Sequence, residues 1–324
     1  MALRIVFIGA SDLGWACCEA LLSQGANVVG ILTAPQEFRI SWSKNPVTNV
    51  RHRSFDNLAK QYGVPVKLMR TRMAETEDWL TEREPDLLVV IGWYHMIGSS
   101  LRKLARYGAV GIHASLLPKY RGGAPLVWAI INGSRETGVT LFYLEDGVDD
   151  GDIIWQEAFA IADSDNIAEV VERSTEVSLR LVRRFIPMID DGTAPRNVQD
   201  HASATYVPQR RPEDGLLDWN TKSARQAYDW IRAQTRPYPG AFTYAGGRKM
   251  TIWRAVTADG IEFEGASPGQ IVGDSTPLVV CADGGLVQLD EVQIGERLFS
   301  GHEVVRERWR LGERLDSIAL EERA

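Results

Sequence analysis

The apolar positions of this chain fall into two rhythms. Residues 4–10 and 28–33 are short unbroken apolar runs, and residues 12–22 between them carry helical spacing, so a strand, a turn, a helix and a second strand are predicted. After a polar loop over 34–54 the alternation resumes. Helices are predicted near 55–62, 75–83 and 99–106, with a continuous apolar strand over 87–91 and a short one over 109–113. Strands that read as unbroken apolar runs and alternate with helices imply a Rossmann-like α/β fold with a mostly parallel twisted sheet covered on both faces.

Two more strand-like runs, 138–143 and 152–161, flank an acidic loop at 145–150. A long amphipathic helix follows. Its Ile167, Val170, Val171, Val177, Leu181, Val182 and Phe185 recur largely at spacings of three, four and seven, the stripe of a core-facing helix. Residues 192–211, rich in Pro, Gly, Ser and charge, read as a linker. From 212 to 324, short strands broken by Gly and Pro after a brief helix predict a smaller β-barrel or sandwich. The expected division is therefore 1–191, a linker over 192–211, and 212–324. The tail over 306–324, charged and helical in pattern with Trp309, Leu311, Leu315, Ile318 and Leu320, is expected to pack on the second domain or on a second subunit as a homodimer.

Composition narrows the classes. A chain of 324 residues with 44% apolar content can bury two cores. The first apolar run is too short for a signal peptide or membrane span, so a cytoplasmic protein with no membrane partner is expected. Cys17 and Cys18 are adjacent and Cys281 is remote, which provides neither a disulfide framework nor a CxxC metal spacing. His52, His95, His113, His201 and His302 are dispersed, so no metal site is expected. The net charge of −7 argues against a broad nucleic-acid surface while leaving room for a small anionic substrate held by a few arginines. The turn Gly9-Ala-Ser-Asp-Leu-Gly14 lacks the full GxGxxG pattern and reads as a tight turn with close helix packing rather than a dinucleotide site.

The stretch GIHASLLPKYRGGAP (111–125) ends a strand on His113 and continues through a loop bounded by proline and glycine. Ligands of open α/β sheets sit beyond the carboxyl ends of the strands, where His113 falls. A lone histidine there is more often structural. The glycine-bounded acidic loop GVDDG (147–151) changes that balance, because it can bring a carboxylate to the imidazole, favouring its charged form and fixing its tautomer.

At these residues the chain resembles the folate-dependent formyltransferases, a family that includes glycinamide ribonucleotide, methionyl-tRNA and amino-sugar N-formyltransferases. The matching strings are HASLLPKYRG (113–122), ETGVT (136–140) and GVDDGD (147–152), in the family's order and separation. RRPEDGLLDW (210–219) and RPYPGAF (236–242) extend the resemblance to the linker and to the start of the family's OB-like C-terminal domain. The resemblance implies an enzyme that moves a formyl group from N10-formyltetrahydrofolate to a primary amine. His113 would be the catalytic histidine and Asp149 its aspartate. His95, Met96 and Ile97, with Glu145, Asp146, Gly147 and Val148, would bind the pterin, largely through backbone groups.

One position departs from the pattern. Gly111 stands where the family has the asparagine of Asn-x-His, so the side-chain amide expected at the formyl oxygen is missing. Formyl transfer needs a base, an oxyanion donor and an acid, and loss of one oxyanion donor typically costs about 2.7–4 kcal/mol of transition-state stabilisation. Compensation by protonated His113, by a water or by Ser115 is open, as is a catalytically impaired folate-binding protein. The expected acceptor is a nucleotide-linked amino sugar, motivated by the acidic balance and by GWYHMI (92–97), with a methionyl-tRNA acceptor as the alternative, its contacts drawn from 39–53 and the C-terminal domain. Trp93 and Tyr94 read equally as acceptor contacts or as ordinary core or cofactor-wall residues. Lys119, Arg121 and Arg210 are candidates for the acceptor's phosphates, or simply solvated cations.

Overall fold

The computed structural model describes residues 2–39, 46–258, 263, 265–273, 276–307 and 314–316. Most of the tail over 306–324 lies outside them. Two compact units are present: Met1–Pro125 with Thr137–Phe159 and Glu172–Val207, and Leu126–Glu136 with Ala160–Val171 and Pro208–Ala324.

The first unit is built on a seven-stranded sheet in the order Ile153–Ala160, Glu136–Tyr143, Ala109–His113, Leu87–Val90, Ile5–Ile8, Val28–Thr33, Val66–Leu68. Pairings from Ala109–His113 through Val66–Leu68 are parallel, and Glu136–Tyr143 runs antiparallel to Ala109–His113. The fold is thus Rossmann-like and mostly parallel, as the unbroken apolar runs imply. Their lack of alternation has a direct cause. Ile5 and Phe7 enter one core with Cys17, Leu21, Leu181 and Phe185, while Val6 and Ile8 enter another with Leu80, Leu88 and Leu101. Each such side chain contributes about 1.5–3 kcal/mol on burial, so both faces demand apolar residues.

Glycine at the first turn answers to packing. A β-carbon on Gly9 or Gly14 would lie 2.6 or 2.5 Å from Ile91 O, and one on Gly92 would lie 1.8 Å from Ser11 Oγ. The first turn and the end of strand Leu87–Val90 therefore meet backbone to backbone. Ser11 begins the helix Asp12–Ser23 by accepting from Gly14 N at 3.2 Å.

Two helices are shorter than their patterns. The segment near 75–83 is a 3-10 turn over Met73–Thr76 followed by the helix Glu77–Glu82. The segment near 99–106 is helical only over Ser99–Arg102, since the amides of Leu104 and Ala105 bond to carbonyls three residues back. The long helix runs over Ile167–Asp190. Asn166 opens it by accepting from Ala168 N at 2.7 Å, while Glu169 reaches back to Asn166 N at 2.8 Å.

In the second unit an antiparallel sheet runs Ile271–Val272, Leu278–Val280, Leu286–Ile294, Arg248–Thr257, Ala241–Ala245, Leu315–Asp316, with Arg297–Ser300 also on Leu286–Ile294. The helix Ala224–Arg232 buries Ala227 and Ile231 in the core formed with Ile252, Val279 and Leu289. No helix among the described residues is long and apolar enough to cross a membrane.

Candidate active site

The strand Ala109–His113 carries Gly111 beside Val90 on one neighbour and beside Phe142 on the other. Its last residue, His113, is 7% exposed and sits at the carboxyl end of the strand, next to the strand Leu87–Val90. That end of the sheet is where a doubly wound fold leaves room for a ligand. A cavity of about 190 Å³ lies there, with one wall of Gly92, Trp93, Tyr94, His95, Met96 and Ile97 and another of Glu145, Gly147, Val148 and Asp149, and with Gly111 and Leu144 also lining it.

Two contacts hold the His113 ring. Its Nε2 lies 2.7 Å from Tyr120 O, and a carbonyl can only accept, so Nε2 carries a hydrogen. Its Nδ1 faces Asp149 Oδ2 at 3.5 Å. The same carboxylate oxygen accepts from Gly122 N at 2.8 Å. The acidic loop can deliver Asp149 because its bounding glycines permit close approach. A β-carbon on Gly151 would lie 2.0 Å from Tyr143 O, and one on Gly147 would lie 1.9 Å from the Asp150 carboxylate. Asp149 itself adopts φ 51°, a left-handed conformation that aspartate tolerates better than most residues.

The aromatic wall is a packed group. Phe38 meets Tyr94 and His95 at ring-centroid distances of 5.2 and 5.3 Å, and Trp93 meets His95 at 5.5 Å. Tyr94 Oη donates to Asn49 Oδ1 at 3.2 Å. Among the described residues, buried His95 Nε2 and Trp93 Nε1 meet no hydrogen-bond partner, and burial pushes the His95 imidazole below its ordinary pKa. Met96 and Val148 are exposed at the rim. The two walls are joined by Arg102, which donates to Ile97 O at 2.6 Å and pairs with Asp146. Nothing local in the sequence marks Arg102.

The remaining candidates are placed otherwise. Ser115 is buried, outside the cavity lining, and its hydroxyl donates to Lys119 O at 2.6 Å. Lys119 is exposed and likewise does not line the cavity. Arg121 is no solvated cation: at 2% exposure its guanidinium is spent on Gln199 Oε1, Tyr206 Oη and His201 Nδ1. Arg210 belongs to the second unit, where its guanidinium lies 4.9 Å from both the Trp128 and Trp230 rings and donates to Asp214 O and Gln234 Oε1. A cleft that shares His95 and Met96 with the cavity is instead lined by Arg39, Arg70 and Arg72, together with Glu37, Phe38 and Met73. Arg39 begins the loop over 39–53 that the sequence offers to a tRNA acceptor, whereas Arg70 and Arg72, from a second loop, escape sequence reasoning because nothing local links them to the first.

A histidine–carboxylate pair beside a cavity at the strand ends of an open α/β sheet is a site suited to group transfer with proton movement. The formyl transferase model matches residues 3–185, and that of the formyl transferase C-terminal domain matches 210–308. The chain belongs to the formyl transferase family and is a formyltransferase. It is 33% identical over 309 residues to a methionyl-tRNA formyltransferase of Pelotomaculum thermopropionicum, covering 94% of this chain and 95% of that one. In fold it is similar to an N-formyltransferase of Helicobacter canadensis solved with folinic acid and dTDP-3-aminofucose, with TM-score 0.65 and 17% identity, covering 90% of this chain and all of that one. It also resembles HypX of Aquifex aeolicus, with TM-score 0.62 and 17% identity, covering 95% of this chain and 48% of HypX. The chain thus spans about half of HypX.

Proposed function

We propose that this enzyme transfers the formyl group of N10-formyltetrahydrofolate to a primary amine on a phosphate-bearing carrier, a nucleotide-linked amino sugar, with His113 and Asp149 at the reacting centre. The observation that carries the chemistry is Asp149 Oδ2 lying 3.5 Å from His113 Nδ1 beside the cavity. The amine nitrogen attacks the formyl carbon, forming the new C–N bond and placing charge on the formyl oxygen. The amine's proton passes to the His113–Asp149 pair. Collapse then breaks the bond to N10, and the pair returns the proton to that nitrogen, leaving tetrahydrofolate and a formamide.

His95, Met96 and Ile97, with Glu145, Gly147 and Val148, would hold the pterin, since they line the cavity, and Asp146, which does not line it, would act by pairing with Arg102, the residue that also holds Ile97 O. The donor missing at Gly111 would be replaced by a water, because both ring nitrogens of His113 are already directed, Nε2 at Tyr120 O and Nδ1 at Asp149 Oδ2. Ser115 is committed elsewhere, and the first atom of any side chain at 111 would already meet Leu144 Cδ2 at 3.0 Å and Val90 O at 3.1 Å.

The acceptor assignment rests on Arg39, Arg70 and Arg72, whose cleft adjoins the cavity and suits the phosphates of a nucleotide. A methionyl-tRNA acceptor is the second reading, favoured by the sequence relative that carries that name. Consumption of N10-formyltetrahydrofolate is measured with nucleotide amino sugars, with methionyl-tRNA and without amine. Formylated sugar supports the proposal. Formylated tRNA, with rates falling steeply as salt is added, replaces the acceptor. Formate release without amine, or folate binding with no turnover on any acceptor, overturns the transfer reading altogether.

A further inference from the structure

We infer that Gln199 is a positioning residue for Asp149, and that buried Arg121 holds Gln199 in that task. The inference rests on the reading of His113 and Asp149 as the reacting pair. Gln199 lies in the stretch whose composition reads as a linker, yet it is only 3% exposed. Its neighbours are tied into the first unit. Asn197 bridges to Ile153, and Tyr206–Val207 pairs in parallel with Arg121–Gly122.

The side chain of Gln199 is fully engaged. Nε2 donates to Asp149 O at 2.9 Å and to Gly151 O at 2.7 Å, using both amide hydrogens. Oε1 accepts from Arg121 Nε at 3.2 Å and Nη2 at 2.6 Å. Arg121 is oriented in turn by Tyr206 Oη at 2.9 Å and His201 Nδ1 at 3.2 Å. The residue after Arg121 completes the grip, because Gly122 N donates to Asp149 Oδ2. One short strand therefore fixes the carboxylate of Asp149 directly and, through Gln199, its carbonyl. Such a hold is needed because Asp149 stands at φ 51°, a conformation that a non-glycine residue keeps only when its surroundings determine it. Two carbonyls facing one side chain require donors, which glutamine supplies and an isosteric glutamate does not.

The test is a double-mutant cycle between Gln199→Glu and Asp149→Asn, read by single-turnover formyl transfer and by the Kd for the folate. Misplacement of a catalytic group by about 1 Å can cost ~100-fold, so Gln199→Glu is expected to lower the transfer rate by about 10- to 100-fold with folate Kd little changed. In the Asp149→Asn background the same substitution is expected to change the rate by less than about twofold, since the group it positions is gone. Equal losses in both backgrounds, or a loss confined to folate Kd, would overturn the inference. Should Gln199→Glu fail to fold, Tyr206→Phe replaces it in the cycle. That variant removes only a hydroxyl from an exposed ring, and it is expected to slow transfer in the wild-type background alone, with an unchanged rate counting against the inference. If Asp149→Asn itself transfers at the wild-type rate, the reading of the reacting pair fails first.

Discussion

Leu144 stands over Gly111: a β-carbon added to the glycine would lie 3.0 Å from Leu144 Cδ2 and 3.1 Å from Val90 O. The flexible leucine can yield by a few tenths of an ångström, whereas the strand carbonyl cannot move without disturbing the register of Val90 with Gly111. Gly111→Asn alone is therefore expected to lower the unfolding midpoint and to leave the new amide badly placed. Paired with Leu144→Ala, the asparagine gains room. Transfer by the double variant is expected to exceed that of Gly111→Asn alone by up to the ~100-fold that one oxyanion donor supplies. Equal rates for the two variants would show that this position no longer faces the formyl oxygen.

His95 gives a pH prediction. Burial holds its pKa below the ordinary value of about 6.5, so between that value and its lower folded value the unfolded chain binds more protons than the native protein. The associated stability is fully present above about pH 6.5 and is lost as pH falls through the folded pKa. Urea unfolding midpoints measured from pH 8 to pH 5 should therefore fall on the acid side, and His95→Phe, which cannot titrate, should flatten that fall. An identical pH profile in the variant would contradict the assignment.

Parts of this site are legible in the sequence for a definite reason. His113 and the glycine-bounded acidic loop are contiguous strings, and contiguous strings survive as local geometry. The unbroken apolar runs are equally readable, because a strand with cores on both faces favours apolar residues at successive positions. Arg121 shows the limit: a cation in a polar loop reads as solvent-facing, yet here it is among the most buried side chains, since its partners Gln199, His201 and Tyr206 lie about eighty residues away in sequence. Arg102, Gln199 and the cleft of Arg39, Arg70 and Arg72 share that property. Each takes its role from long-range neighbours that no spacing rule reveals.

The three cysteines should be silent in the native protein. Burial pushes Cys17 and Cys281 up to about 12, and Cys18 is raised as well, by burial first and then by the neighbouring Cys17 and Glu19. Only the thiolate alkylates at a useful rate. Iodoacetamide at pH 8 is expected to label none of them over a period in which urea-unfolded protein is labelled completely, as read by intact mass. Native labelling at the unfolded rate would show that these thiols are not held in the cores.

Asp229 tests the second unit. Its carboxylate is 4% exposed and pairs with Arg232 Nε at 2.7 Å and Arg225 Nε at 2.9 Å. Arg232 is itself buried and also donates to Asp165 O at 2.6 Å. Removing one partner of a buried pair leaves an uncompensated charge, a change that costs about 3–5 kcal/mol. Asp229→Ala is expected to destabilise by that amount in urea unfolding, whereas Arg225→Ala, which deletes a half-exposed partner, should cost less than about 1 kcal/mol. Adding Arg232→Met to Asp229→Ala removes the stranded charge and should recover part of the loss, because an apolar side chain needs no counter-ion there. If the double variant were less stable than Asp229→Ala alone, the stabilisation would have to come from the bonds Arg232 makes to backbone carbonyls rather than from the pair.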